Sequence, residues 1–352
     1  MRSIYCLGLG LAFLASGCVQ DPAVLRREVE SGIRTQARAS WWGCDPEDAT
    51  EALQSAMDSG VKTLVVDNAG RDWIVRPLQV PSNLEMVFED GVVVRAKKGE
   101  FHKKTDQLFN ISGRSNVVLR GEGSVRFVMN KADYQNPDLY ERAGHRHTIN
   151  IFNSQNVLVS NLTLLSSGGD GVYVGSSPAA PGAKDVTLVD LDCLDHHRLG
   201  IAVTGGENLT IKRCRFNNTF GTAPGCGIDY EPNYPERSLV NCVIEDCEFA
   251  SNQVRGVVIN LHKLNAASRP VSLTFRNCRI VDNPIGVLIV STGTEPTDGP
   301  SKIEFDRCLI SGNTNRSVSF ADHPVTNMAL ILRDCVIDNR GAEPEALQIA
   351  SG

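Results

Sequence analysis

The sequence predicts an all-β solenoid: a single-stranded parallel β-helix closed at its N-terminal end by a capping helix. Two observations carry this. A glycine-led strand recurs as GVYVG from Gly171, GIAVT from Gly200, GIDYE from Gly227, GVVIN from Gly256 and GVLIV from Gly286, at spacings of 29, 27, 29 and 30 residues. Each is followed by a second short strand of period two (DVTLVD, NLTIKR, CVIEDC, VSLTFR, KIEFDR, then LILRDC), with no helical periodicity between strands. Three short strands per repeat cannot bury an apolar face alone. Stacking repeat on repeat buries it, with like strands paired in parallel about 4.8 Å apart. A doubly wound sheet would need helical crossovers, and the sequence has none to offer.

Composition agrees. Of 352 residues, 41% are hydrophobic but only 6% aromatic, with 31 glycines, which suits a narrow stacked β core. The net charge of −6 and the lack of a basic run exclude nucleic acid as a partner, because phosphate binding needs a Lys/Arg footprint.

In chain order, residues 1–17 read as a targeting segment. Arg2 supplies a positive charge, Leu7 to Ala15 form a short apolar stretch, and Ala15-Ser16-Gly17 precede Cys18. The stretch is too short to span a bilayer as a mature helix. It resembles the bacterial lipoprotein signal, which implies lipidation of Cys18, export, and anchoring in the cell envelope. By the same resemblance, Val19 after Cys18 points to the outer membrane in a cell that has one, within an envelope location of periplasm or outer membrane. An ordinary secretory signal cut nearby is the alternative.

Residues 18–44 are polar and mixed, a tether or a short helix, and 45–352 form the solenoid domain. Asp45, Pro46, Glu47 and Asp48 have the chemistry of a helix start. Ala49, Ala52, Leu53, Ala56 and Met57 follow at helical spacing, and Gly60 ends the run. A helix here caps the open edge of the first coil. From Thr63 the pattern changes to short strands: TLVV, WIV, LEMVF and VVVR.

Repeat length and three-strand layout resemble the pectin-lyase-like right-handed parallel β-helix superfamily, over roughly Asp45 to the C-terminus. That resemblance specifies the fold far more than the chemistry. Cys193, Cys214, Cys247, Cys278, Cys308 and Cys335 recur once per repeat, which makes them an inward stack of small buried hydrophobes. Disulfides between stacked neighbours are the alternative. Cys44, Cys226 and Cys242 lie off that ladder. A zinc site is not indicated, since no C-x-x-C pair occurs.

Aligned repeats become a surface, because side chains alternate in and out along each strand. The outward column reads Tyr173, Ala202, Asp229, Val258, Leu288; two residues on it reads Gly175, Thr204, Glu231, Asn260, Val290. The position before each glycine reads Asp170, Leu199, Cys226, Arg255, Ile285, in the turn, where alternation does not fix direction. The HRHTINIF segment adds one coil, with His147 beside Asp170 and Asn150 beside Tyr173. Arg146, His147, Asn150, Asp170, Tyr173, His196, His197, Arg198, Asp229, Glu231, Arg255, Asn260 and His262 are thereby expected on one face. A generally polar exterior would also collect charges in such columns.

Asp229 and Glu231 lie two apart on one strand, about 7 Å at the backbone, and Asp170 sits two coils away, about 10 Å. Inverting glycosidases hold their acid and base carboxyls about 6.5–9.5 Å apart and retaining ones about 5–5.5 Å. Crowded acids push one pKa upward, as a general acid needs. The competing reading has Asp229, Glu231 and Asn233 hold a calcium ion. GGDGVYV is similar to the Asn-Thr-Asp-Gly segment of polygalacturonase-like glycosidases, which implies an acid role for Asp170. Where those enzymes carry a paired Asp, this chain has Asp195-His196-His197-Arg198, and where they carry Arg-Ile-Lys it has Arg255-Gly256-Val257, so the match is partial.

Asp170, Asp229, Glu231, His197 and Arg198 are the catalytic candidates. His147, Asn150, Tyr173, Arg255 and Asn260 are the substrate-binding ones. Arg198 and Arg255 suit bidentate capture of a sugar carboxylate or sulfate. Met129 to Gly144 interrupts the repeat and enters the coil before His147, as a cleft wall or as a simple surface insertion. The expected function is an exported glycoside hydrolase acting on a polysaccharide without an organic cofactor. A uronate lyase or epimerase with His197 or Tyr173 as base is the alternative of the same class, and a non-catalytic polysaccharide-binding envelope protein that of another.

Overall fold

A computed structural model describes residues 21–177, 182–290, 299–321 and 328–338, and the backbone of 347–349. The expected signal segment and Cys18 lie outside the described residues. Among the described residues no helix is long and apolar enough to cross a membrane.

The chain is a right-handed parallel β-helix with three walls. One wall is a sheet whose strands follow chain order without a crossover, from Leu78–Gln79 through Ile149–Phe152, Asp170–Gly175, Leu199–Val203, Cys226–Tyr230, Arg255–Asn260 and Ile285–Val290 to Leu347–Ile349. The other two walls join through the long strands Gln155–Leu165 and Ala183–Leu194, each of which turns the corner between them. Register follows the expected columns: Tyr173 pairs with Ala202, Ala202 with Asp229, Asp229 with Val258 and Val258 with Leu288.

The recurring glycine marks a close approach between coils. A Cβ on Gly171, Gly200, Gly227, Gly256 or Gly286 would lie 2.6, 2.6, 2.8, 2.9 or 2.5 Å from a backbone carbonyl oxygen of the following coil. Turn chemistry sits elsewhere. Asn83, Asn116, Asn156, Asp185, Asn208 and Asn241 form one column with φ between 52 and 61°, the left-handed region that Asn and Asp tolerate best after glycine. Their side chains also link coils, Asn116 Nδ2 donating to Asn83 Oδ1 at 2.7 Å and Asn156 to Asn116 at 2.8 Å.

Inside, like residues stack. Phe275 lies 4.7 Å from Phe305 with planes 9° apart, and Phe216 stacks on Phe249 at 5.5 Å. Asn252, Asn283 and Asn313 form a buried amide ladder, each backbone N–H of the first two donating to the next Oδ1. The cysteine ladder is one member shorter than expected. Arg215, Glu248 and Arg279 share a register, which aligns Cys214, Cys247, Cys278, Cys308 and Cys335; Cys193 instead pairs with Phe216. A shift of two residues keeps a side chain inward, so burial alone could not separate the two positions. All nine described cysteines, Cys44, Cys226 and Cys242 included, are free thiols.

The N-terminal end departs from expectation twice. The cap helix runs Thr50–Asp58, four residues later than expected. Asp45 Oδ1 instead accepts from the N–H groups of Glu47 and Asp48 in the preceding turn, and Asp48 Oδ1 takes the Thr50 N–H at 3.0 Å. The segment expected as a tether or a short helix is the latter, Pro22–Glu30 capped by Asp21; the departure is the strand Gln36–Arg38, which pairs in parallel with Thr63–Val66. The solenoid therefore begins at Gln36.

Candidate active site

The outer face of the single-strand wall is not polar throughout. Leu199, Ala202, Cys226 and Val258 form a second, small hydrophobic cluster outside the coil, with Tyr173 and Leu288 at its margin. Leu199 and Cys226 are fully buried. Asp170 pairs in register with Leu199, and Asp229 lies between Ala202 and Val258. Both carboxyls are thus set into dry surroundings, Asp170 at 0% exposure and Asp229 at 4%.

Burial dominates their titration. It lifts Asp170 from 3.8 to about 7, against the pull of Arg198, and lifts Asp229 to about 7 with help from the neighbouring Glu231 charge. Arg198 sits among the three acids. Its Nη1 donates to Asp170 Oδ2 at 3.1 Å and lies 3.4 Å from Oδ1, and its Nη2 is 4.0 Å from Glu231 Oε2. Burial works against the Arg198 charge, but Asp170, Asp229 and Glu231 outweigh it and hold its pKa above the usual value.

His147 closes the other side of Asp170. Its Nδ1 accepts the Asp170 backbone N–H at 3.0 Å and lies 3.2 Å from Asp170 Oδ2. An acceptor at Nδ1 places the ring hydrogen on Nε2. Burial first, then His145 and Arg198, hold His147 well below its ordinary value, so it is neutral. The ring stacks on Tyr173 at 5.0 Å, and the Tyr173 hydroxyl bonds Thr204 Oγ1 at 3.0 Å.

The remaining candidates distribute around this centre. Asn150 adjoins Tyr173 in register and ends an amide ladder, its Nδ2 donating to Asn110 Oδ1 at 2.7 Å while Asn110 donates to Gln79 Oε1 at 2.7 Å. Arg255 pairs with Cys226, and its Nε is buried without a hydrogen-bond partner. Asn260 follows one coil after Glu231 and accepts from His262 at 2.6 Å.

Three side chains expected on this face are elsewhere. His196 is fully buried inside the coil, its Nδ1 2.9 Å from Ser167 Oγ and its Nε2 beneath Gly171. Arg146 is buried under the insertion, donating to the carbonyls of Phe101, His102 and Glu141 and lying 5.6 and 5.3 Å from the rings of Tyr134 and Tyr140. His197 turns away from the carboxyls: its Nδ1 meets Gln135 Nε2 at 2.8 Å, in a groove of about 460 Å³ lined by Tyr134, Gln135, Arg142, Gly144 and Thr222. These three flank turns, where strand alternation gives no direction. Arg198 also differs from expectation, since its guanidinium is engaged by the protein's own acids and is not free to grip a sugar carboxylate.

The insertion is a wall. It contains the helix Lys131–Gln135, Tyr134 and Tyr140 are buried, and Gly144 runs so close to Arg198 that a Cβ there would meet Arg198 Cδ at 3.0 Å. The sequence reading missed the Leu199–Cys226–Val258 cluster as part of the site. Its signal was present, as apolar residues in columns that otherwise carry acids.

Fold and site together define a parallel β-helix protein with paired dry carboxyls on its outer wall. Residues 115–298 match the family described as the right handed beta helix region, and the chain belongs to that family. No curated protein matches it by sequence. Among solved structures it is similar to PfbA, a surface adhesin of Streptococcus pneumoniae (14% identity, TM-score 0.66, covering 89% of this chain and 81% of that one). It is also similar to the tailspike protein gp49 of Acinetobacter baumannii bacteriophage Fri1, a capsular polysaccharide depolymerase (14%, TM-score 0.55, 86% of this chain and 57% of that one). Pectate lyase Pel9A is a third (10%, TM-score 0.53, 76% and 72%). At such identities the likeness concerns the fold alone.

Proposed function

We propose that this chain is an exported glycoside hydrolase, anchored through a lipid at Cys18, that cuts a polysaccharide by carboxylate acid/base chemistry. One observation carries the reading. Asp170 and Asp229 are buried together around Arg198, and both keep a proton up to about pH 7. A neutral carboxyl in a dry site is what a general acid requires. Asp229 retains some exposure and Asp170 none, so Asp229 is the group a glycosidic oxygen can reach. Asp229 delivers the proton to that oxygen. Glu231, two residues on and more exposed, takes the proton of the attacking water, and Arg198 orients its carboxylate. Asp170 fixes Arg198, and Tyr173 offers a sugar a ring face.

The capsular polysaccharide depolymerase and the pectate lyase among the structural neighbours support a polysaccharide as the partner, and the surface adhesin supports a location outside the cell. The test is a polysaccharide screen for released reducing ends, wild type beside Asp229→Asn and Glu231→Gln. Loss of a proton-transfer group costs about 10²–10⁴-fold, and turnover undiminished in Asp229→Asn overturns the assignment. Unsaturated, ultraviolet-absorbing products would make the enzyme a lyase, and binding without turnover would make it an adhesin-like binder. Activity abolished by a chelator would give Asp229, Glu231 and Asn233 a calcium ion instead.

A further inference from the structure

The groove beside the carboxyls offers donors that the protein's own acids do not take up. On one side stand the insertion residues Gln135, Arg142 and Gly144, and on the other the turns of His197 and Thr222. Gly144 forms the crest between this groove and Arg198. Lys131 and Arg146 lie close enough to His197 that both disfavour a further positive charge on it, after burial. Both have engagements of their own: Lys131 pairs with Asp195 at 2.6 Å, and Arg146 donates through Nε and Nη2 to three carbonyls. Arg142 is exposed on the groove and, among the described residues, has no ion-pair partner. Its neighbour Glu141 is drawn off by Lys104 at 2.5 Å. Gln135 donates to His197 Nδ1, which leaves the His197 hydrogen on Nε2 as a further donor.

An anion therefore meets two different surfaces a few ångströms apart. At the reaction centre, Arg198 is already engaged by Asp170 and faces Glu231, so a substrate anion finds no free cation there. Across Gly144, a free guanidinium and an imidazole N–H lie in a positive field. We infer that this groove is a subsite for an acidic sugar unit, one bearing a carboxylate or a sulfate ester, adjacent to an uncharged unit placed over Asp229. The inference rests on the glycan reading of the neighbouring site and specifies its substrate class as an acidic, mixed polysaccharide.

Binding is measured on the full folded chain by titration calorimetry, together with the His197 imidazole signals in nitrogen-15 NMR spectra. The probes are a hexamer of galacturonate, a sulfated galactan hexamer, neutral cellohexaose and sodium sulfate alone. One or both acidic oligomers should bind and move the His197 signals, and neutral cellohexaose should not move them. Arg142→Ala, a change on the exposed surface that leaves the core intact, should weaken acidic-oligomer binding about tenfold and flatten its salt dependence. The response of carboxylated against sulfated hexamer identifies the acidic group. Equal binding of cellohexaose, an unaltered Arg142→Ala protein, or a His197 response reproduced by sulfate alone (an adventitious ion only) each overturns the subsite. Asp229→Asn separates the two readings. If that variant binds acidic oligomers but wild type shows no turnover, the subsite stands and the hydrolase assignment falls.

Discussion

Asp229 and Asp170 occupy outward positions on a β-helix, where water ordinarily keeps a carboxyl ionised. Here Leu199, Ala202, Cys226 and Val258 dry the wall around them. The consequence for stability has a definite sign. Both groups titrate near 3.8 in the unfolded chain and about 7 in the folded one, so the folded state binds their protons more tightly. Their stabilising contribution is fully present below about pH 4 and is lost as pH rises toward 7. A rise from 3.8 to about 7 corresponds to about 4 kcal/mol per carboxyl. Asp229→Asn should therefore melt higher than wild type at pH 8 and close to it at pH 4, read by circular dichroism. A variant less stable than wild type at pH 8 would contradict a desolvated carboxyl. Activity should fall as pH rises past about 7, because Asp229 then loses the proton it delivers. The pH dependence of kcat/KM in wild type checks this.

At the scale of elements, the insertion before His147 is fixed by one residue. Arg146 carries the link: three donated hydrogen bonds to Phe101, His102 and Glu141 hold the loop before it and the insertion around it, with Tyr134 and Tyr140 on its flanks. Arg146→Ala leaves those buried carbonyls without donors and opens a cavity between the rings. The expected cost is about 3 kcal/mol. The measurable sign is fast proteolytic cleavage within residues 136–144 while the coils stay resistant. An insertion equally protected in the variant would show that Arg146 is not its anchor. The strand columns were legible in the sequence because period-two alternation and a glycine per coil fix register: Asp170, Tyr173 and Asp229 fall where they were read. The turns were not legible. His196 goes inward, His197 goes to the groove and Arg146 goes under the insertion, because side-chain direction in a turn depends on local φ and ψ and on the loop that covers it. Cys193 shows the other blind spot. A two-residue offset preserves the pattern and changes the neighbour.

For the whole molecule, each coil touches only the coils before and after it, so stability is close to a sum of coil and interface terms. The helix Thr50–Asp58 covers the N-terminal end through Leu53, Ala56 and Met57, all buried. A charge placed at Leu53 is buried without a partner and must lift that helix off. In a protein with one cooperative core, such a lesion would loosen every part equally. In this stack, it should loosen the first coils and fade along the axis. Leu53→Asp is thus expected to speed hydrogen exchange in the strands Thr63–Val66 and Leu84–Phe88. The strands Asp170–Gly175 and Cys226–Tyr230 should keep their protection, and the acidic site its activity. Newly bare strand edges should also drive association, visible as larger species on size exclusion. Uniform loss of protection through Asp229 would mean that the coils fold as one unit, and that the site depends on a cap several coils away.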